Sequence, residues 1–205
     1  MSNTLEQLQD LALRPAAVGW FQGLFHRIHL QITDTGENFT VLHHGDRMEV
    51  QSGFLSQQPN FVAPLETQNI RNLAGFFDQG TIGPYEQYRI VKFMMRPCIE
   101  AALAMPILNH QAIRKIVRVD PHFHTALVDP DGHEDEQLTV LYVNNQWLVL
   151  SGHHGKPQRR VARTPEQLLE FQRHLHQADE QNTLAAWMDA ARWYLKWREE
   201  VTKPI

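Results

Sequence analysis

"TVLHHGDRMEVQSG" (residues 40–53) and "TVLYVNNQWLVLSG" (residues 139–152) open on the same TVL and close on the same SG, 99 positions apart. In the middle of each stands a pair of turn-forming residues, Gly45-Asp46 in one and Asn144-Asn145 in the other. Gly in first place suits a type II′ turn, and Asn-Asn reaches the positive φ angles of type I′, the two turns whose twist matches a hairpin. The flanking runs "FTVLH", "RMEVQ", "LTVLYV" and "QWLVL" are rich in β-branched and aromatic residues. Each window therefore reads as a β-hairpin.

Working outward, the offset of 99 gives nine identities in the 37 positions from Thr40 to Phe76, including Val62/Val161, Ala63/Ala162 and Gln68/Gln167. Composition alone would give about two. Upstream, "RIHLQITDTG" (27–36) matches "HFHTALVDPDG" (122–132) at an offset of 95, which sets His29 opposite His124. The second copy then carries a longer loop, an insertion that a surface connection tolerates cheaply. Downstream, "NFVAPL" and "RRVAR" read as a fourth extended segment. Thr67 and Thr164 are candidate helix N-caps, with Pro165 suited to a first helical position. "PYEQYRIVKFMMRPCIEAALAM" reads as a helix broken or kinked at Pro97. In "TLAAWMDAARWYLKWREEV", residues Leu184, Trp187, Met188, Ala191, Tyr194 and Leu195 form one apolar stripe.

The pattern predicts an α+β protein of two repeated β-β-β(-β)-α-α halves, residues 1–107 and 108–205, the first with an N-terminal helix. Each half is expected to hold an antiparallel sheet covered by helices, and the halves to pack as a pseudo-dimer. "QWLVL" is apolar on both faces, which predicts a second sheet covered on both sides.

The chain has 205 residues, 42% hydrophobic and 20% charged, with a net charge of −4. Duplex nucleic acid and anionic membranes are disfavoured partners for that charge. The basic stretch "GKPQRRVAR" (155–163) reads as a solvated turn. One cysteine, Cys98, allows no intrachain disulfide and fits a reducing, cytoplasmic setting. The start "MSNTLEQLQDLALRP" does not read as a signal peptide.

Twelve histidines are the compositional oddity. Neighbours in a strand point to opposite faces, so His43-His44 and His153-His154 are poor chelators, whereas His122 and His124 share a face. No Cys partner and no HExxH accompany them, so no metal and no cofactor are expected. "DPDGHEDE" (129–136) departs from a calcium loop and reads as an exposed hairpin loop, with Glu134 and Glu136 solvated. Cys98 follows Arg96-Pro97 but sits among apolar stretches, which reads as an inert core thiol.

From about Phe21 to Met105 the order of parts resembles the sterol-carrier-protein-2 (SCP2) domain. "RIHLQITDTGENFTVLHHGDRMEVQSG" supplies three strands, and "NFVAPLETQNIRNLAGFF" looks like that family's strand-to-helix step. The resemblance implies a tunnel for lipids or other apolar ligands between helices and sheet. The chain departs from the family where "DQGTIG" stands in place of Gly-Lys and where "YRIVKFMMRPCIEAAL" reads helical in place of a last strand.

These readings give a non-enzymatic protein that binds an apolar small molecule or lipid. The expected ligand-binding residues are Ile70, Leu73 and Phe77 on the first-half helix, with Met94 from the next. The rival is a scaffold that self-associates as a homo-oligomer through the C-terminal Trp-rich helix, where Trp193 and Trp197 broaden the stripe. A third reading is a small enzyme on an α+β cone with a histidine as acid-base group.

Overall fold

The computed structural model describes residues 3–78, 80, 82–104 and 120–203. The chain divides into two compact units, Met1–Pro97 and Cys98–Ile205. The boundary expected at 107/108 lies outside the described residues.

The first unit runs α1 (Thr4–Ala12), α2 (Pro15–Phe21), β1 (Arg27–Ile32), β2 (Asn38–His43), β3 (Met48–Ser52), β4 (Phe61–Leu65), α3 (Thr67–Asp78) and the start of α4 (Pro84–Ala104). The second runs β5 (His122–Val128), β6 (Glu134–Val143), β7 (Gln146–Ser151), β8 (Arg159–Arg163), α5 (Pro165–Gln181), α6 (Leu184–Val201) and a short β9 (Thr202–Lys203). The sheets have the same strand order, β3-β2-β1-β4 and β7-β6-β5-β8, with β9 added to the edge of the second. The α+β reading and the repeated halves are thus present in the structure.

Three strands of each half pair antiparallel as expected, but the fourth joins parallel, β4 on β1 and β8 on β5, so both sheets are mixed. The reason lies in the connection. Strand β3 ends with Ser52 beside Phe39, and Phe39 faces Leu30 towards the end of β1. Strand β4 begins with Phe61 beside Ile28, at the start of β1. Residues 53–60 must recross the sheet from one corner to the opposite one, and the strand that follows then runs with β1.

The ladders fix the repeat residue by residue. His29 faces Thr40 and His124 faces Thr139, which establishes the offsets of 95 and 99. Beyond the crossover the offset is 98, because His29 faces Val62 whereas His124 faces Arg160. The identities Val62/Val161, Ala63/Ala162 and Gln68/Gln167 are therefore one step out of structural register. Val62 points to solvent while Val161 is buried. The same shift corrects the first helix cap. Glu66, not Thr67, precedes α3, and its N–H donates to Asn69 Oδ1 at 2.7 Å. The Thr164 N–H likewise donates to Gln167 Oε1 at 2.9 Å, half of a capping box that the threonine hydroxyl completes. The Thr67 N–H is taken up by Asp34 Oδ1 at 3.0 Å.

Other expectations need correction. Helix α4 is not broken at Pro97, which sits inside it. Leu148 and Leu150 on β7 are 44% and 39% exposed, so the second sheet is not covered on both sides there. On α6 the buried side chains are Trp197, Arg198 and Val201, while Leu184, at the head of the expected stripe, is 74% exposed. The stripe was drawn by apolar character alone, and an arginine takes one of the buried positions. "RRVAR" is strand β8, the fourth extended segment, so the basic stretch 155–163 is not a solvated turn throughout: it ends in a strand with Arg163 buried. Glu134 opens β6 and pairs with Arg160 instead of lying free in the loop.

Among the described residues no helix is long and apolar enough to cross a membrane.

Candidate functional site

Alternation along the first sheet separates two faces. Ile28 and Leu30 of β1 share one face with Val41, Val50, Phe61 and Ala63 of the neighbouring strands. His29, Thr40, Gln51 and Val62 occupy the other. The two faces have separate tasks.

The face with Ile28 and Leu30 meets the helices around a partly open cavity of about 70 Å³. A single buried water needs about 10–15 Å³, and water also needs polar partners. The walls offer none: Leu8 and Leu11 come from α1, Phe21 from α2, Leu73 from α3, and Ile90 and Met94 from α4. An apolar void of this kind stays dry or takes an apolar guest. Of the four residues read from the sequence, Leu73 and Met94 line it together. Ile70 and Phe77 are buried but do not line it. Phe77 packs behind the wall, its ring 5.8 Å from that of Phe21 and 6.3 Å from that of Trp20. Sequence periodicity placed all three α3 residues on one face without resolving which of them fronts the sheet and which fronts α2.

The sheet supplies about half of the wall, and helical periodicity does not reveal it. Val41 and Val50 lie inside the opening repeat. Their alternation with Thr40 and Gln51 was the available signal.

Helix α1 is tied to the end of α3 by Arg14. Its guanidinium pairs with Asp10 of α1 at 2.7 Å and reaches Asp78 and the Ala74 carbonyl at the end of α3. A cation at a helix C-terminus also meets the negative end of the helix dipole.

The opposite face carries the crossover, and here the repeated letters find their use. The Thr40 hydroxyl donates to the Gly53 carbonyl and accepts from the Leu55 N–H. The Thr139 hydroxyl donates to the Gly152 carbonyl at 2.8 Å and accepts from the His154 N–H at 2.8 Å. Gly53 and Gly152 sit at φ +82° and +80°, a region that strains any residue with a Cβ. The ring after each glycine then lies flat on the strand histidine, Phe54 on His29 at 4.4 Å and His153 on His124 at 4.3 Å. His122 and His124 both donate through Nε2 to the His154 carbonyl, at 3.0 and 2.9 Å. The shared face read for His122 and His124 is real, and it is spent on holding the crossover.

Among the described residues, Asp129, Asp131 and His133 form the one group of three potential metal ligands with ligand atoms within 4.8 Å of one another. Asp129 Oδ1 already accepts from the N–H groups of Asp131 and His133, closing the turn. Cys98 is buried, and burial pushes its thiol up to about 12, which makes it a poor nucleophile.

No protein-family model, curated protein or solved structure matches the chain.

Proposed function

We propose that the first half binds a small apolar molecule, or the end of an acyl chain, in the cavity between its sheet and its helices. The observation that carries this reading is a void of about 70 Å³ walled by apolar side chains from every layer of the half. Well-packed interiors leave few voids larger than a water, and one this size forfeits contacts that a guest restores. Burial of the guest supplies about 25 cal/mol per Å² before ordering costs. The resemblance in order of parts to lipid-binding SCP2 domains supports the same class of ligand. The reading requires no reacting group.

The test is calorimetric titration of the protein with benzene and hexanol, beside a variant whose cavity is filled by Ala63→Phe. Saturable binding to the unaltered chain and none to the filled variant is expected. Absence of binding to both would reduce the void to a packing gap.

A further inference from the structure

The cavity has a counterpart in the second half, and the chemistry of its wall is inverted. In the first half, Phe61, Ala63 and Leu65 of β4 pair with Ile28, Leu30 and Ile32 of β1 and line the apolar cavity. The equivalent β8 residues, paired with Phe123, Thr125 and Leu127 of β5, are Arg159, Val161 and Arg163. These three line a second, smaller cleft with Asp120, Tyr194, Trp197 and Arg198. Duplication has kept the place and replaced two apolar side chains by guanidinium groups.

Arg163 is the unusual member. It is only 5% exposed, and its Nε and Nη1 have no hydrogen-bond partner. Its guanidinium carbon lies 5.0 Å from the centre of the Trp197 ring and 5.6 Å from that of Phe171. Aromatic faces offset part of the cost of burying the cation, but they leave the N–H groups unmet. The lining carries three arginines and one carboxylate, Asp120, which is engaged by Arg159 Nε at 2.5 Å. Arg159 Nη1 donates to Thr202 Oγ1 at 3.0 Å. Arg163 itself has no carboxylate partner among the lining residues. The Tyr194 phenol is protonated at neutral pH, and burial moves its ionisation further up, so it is available as a donor.

We propose that this cleft is a carboxylate-binding site, with Arg163 the principal donor and Arg159, Arg198 and Tyr194 around it. The cleft is small, about 10 Å³, room for one atom the size of a water oxygen, so a carboxylate enters it by a single oxygen. A guanidinium N–H makes a strong, charge-assisted bond to such an oxygen. The rest of the ligand stays outside the cleft. The site is independent of the apolar cavity and stands whether or not that cavity takes a guest.

Thermal melting of the full chain tests it, with sodium acetate against acetamide and with ionic strength held by a bulky sulfonate. Acetate is expected to raise Tm saturably, by roughly 3–6 °C at ten times its dissociation constant, and acetamide to leave it unchanged. Arg163→Met is expected to remove the acetate response and to melt higher than the unaltered protein without acetate, since it removes a buried unpaired charge. Equal responses to acetate and acetamide in the unaltered protein would overturn the proposal, whether or not the variant folds. So would an acetate response that survives Arg163→Met, or equal stabilisation by chloride and sulfate.

Discussion

Thr40 reaches thirteen residues along the chain to Gly53, its hydroxyl donating to that carbonyl at 2.9 Å. Thr139 and Gly152 repeat the bond at 2.8 Å. A threonine that faces a strand histidine and grips the chain just after the hairpin closes the corner from which the crossover starts. That corner decides the parallel fourth strand and, with it, the wall of the cavity.

Thr40→Val and Thr139→Val keep the side-chain shape and remove both bonds. Each leaves a carbonyl and an N–H without their partner, at a cost of about 1–3 kcal/mol. Urea unfolding should show a lower midpoint with an unchanged slope, and Thr→Ser should recover most of the loss. A midpoint unchanged by valine would mean that the crossover is held without the hydroxyl.

Leu73 and Phe77 lie one turn apart on α3 but have different surroundings, which separates two kinds of damage. Leu73→Ala enlarges the cavity and should alter the affinity for apolar guests as well as cost about 2–5 kcal/mol. Phe77→Ala removes packing behind the wall and should cost about 3–5 kcal/mol while leaving the affinity of the folded fraction within about twofold. Titration calorimetry at a temperature where both variants remain folded distinguishes them.

Acid should weaken the protein through the stacked histidines. Burial, with Arg27 second, lowers His29 below its ordinary 6.5. Burial, followed by His124 and Arg160, lowers His153 in the same way. Below about pH 6.5 the unfolded chain therefore binds more protons than the folded one, and stability falls as pH drops through the lowered values. Above about 6.5 the full contribution is present. His29→Phe with His153→Phe keeps flat rings in both stacks and should flatten the acid side of a Tm-against-pH curve. An unchanged slope between pH 7.5 and pH 5 would place the acid sensitivity elsewhere.

Arg14→Met unfastens α1 from the end of α3 while keeping an apolar stem. Since half of the pairing is surface-exposed, the loss of stability should be about 1 kcal/mol or less. Exchange of a bound apolar guest should quicken more than its affinity falls, which stopped-flow displacement would register. An unaltered exchange rate would mean that guests enter by another route.

Much of the fold was legible because its signals are local. The hairpins declare themselves through Gly45-Asp46 and Asn144-Asn145, and in the second turn both asparagines have positive φ. His29 could be set opposite His124 because strand and turn recur together. The fourth strand's direction was not legible, because it follows from a path across the sheet and not from any residue on it. The one-step slip at β8 was concealed by chance identities such as Ala63/Ala162. Arg163 was hidden for a related reason: three arginines in five residues of β8 look solvated, and only alternation on a known sheet shows that Arg159 and Arg163 face the helices. Leu73 is legible as part of a helix face and Met94 from the apolar content of the next helix, whereas the strand half of the cavity wall required the ladder.

The central claim is that the first-half cavity takes an apolar guest. A native mass spectrum of freshly purified protein, set beside its denatured mass and beside the Ala63→Phe variant, tests it most directly. The account expects an excess mass on the unaltered chain that denaturation releases and the filled variant lacks. A bare chain mass for the unaltered protein, still bare after incubation with benzene or hexanol, would contradict it.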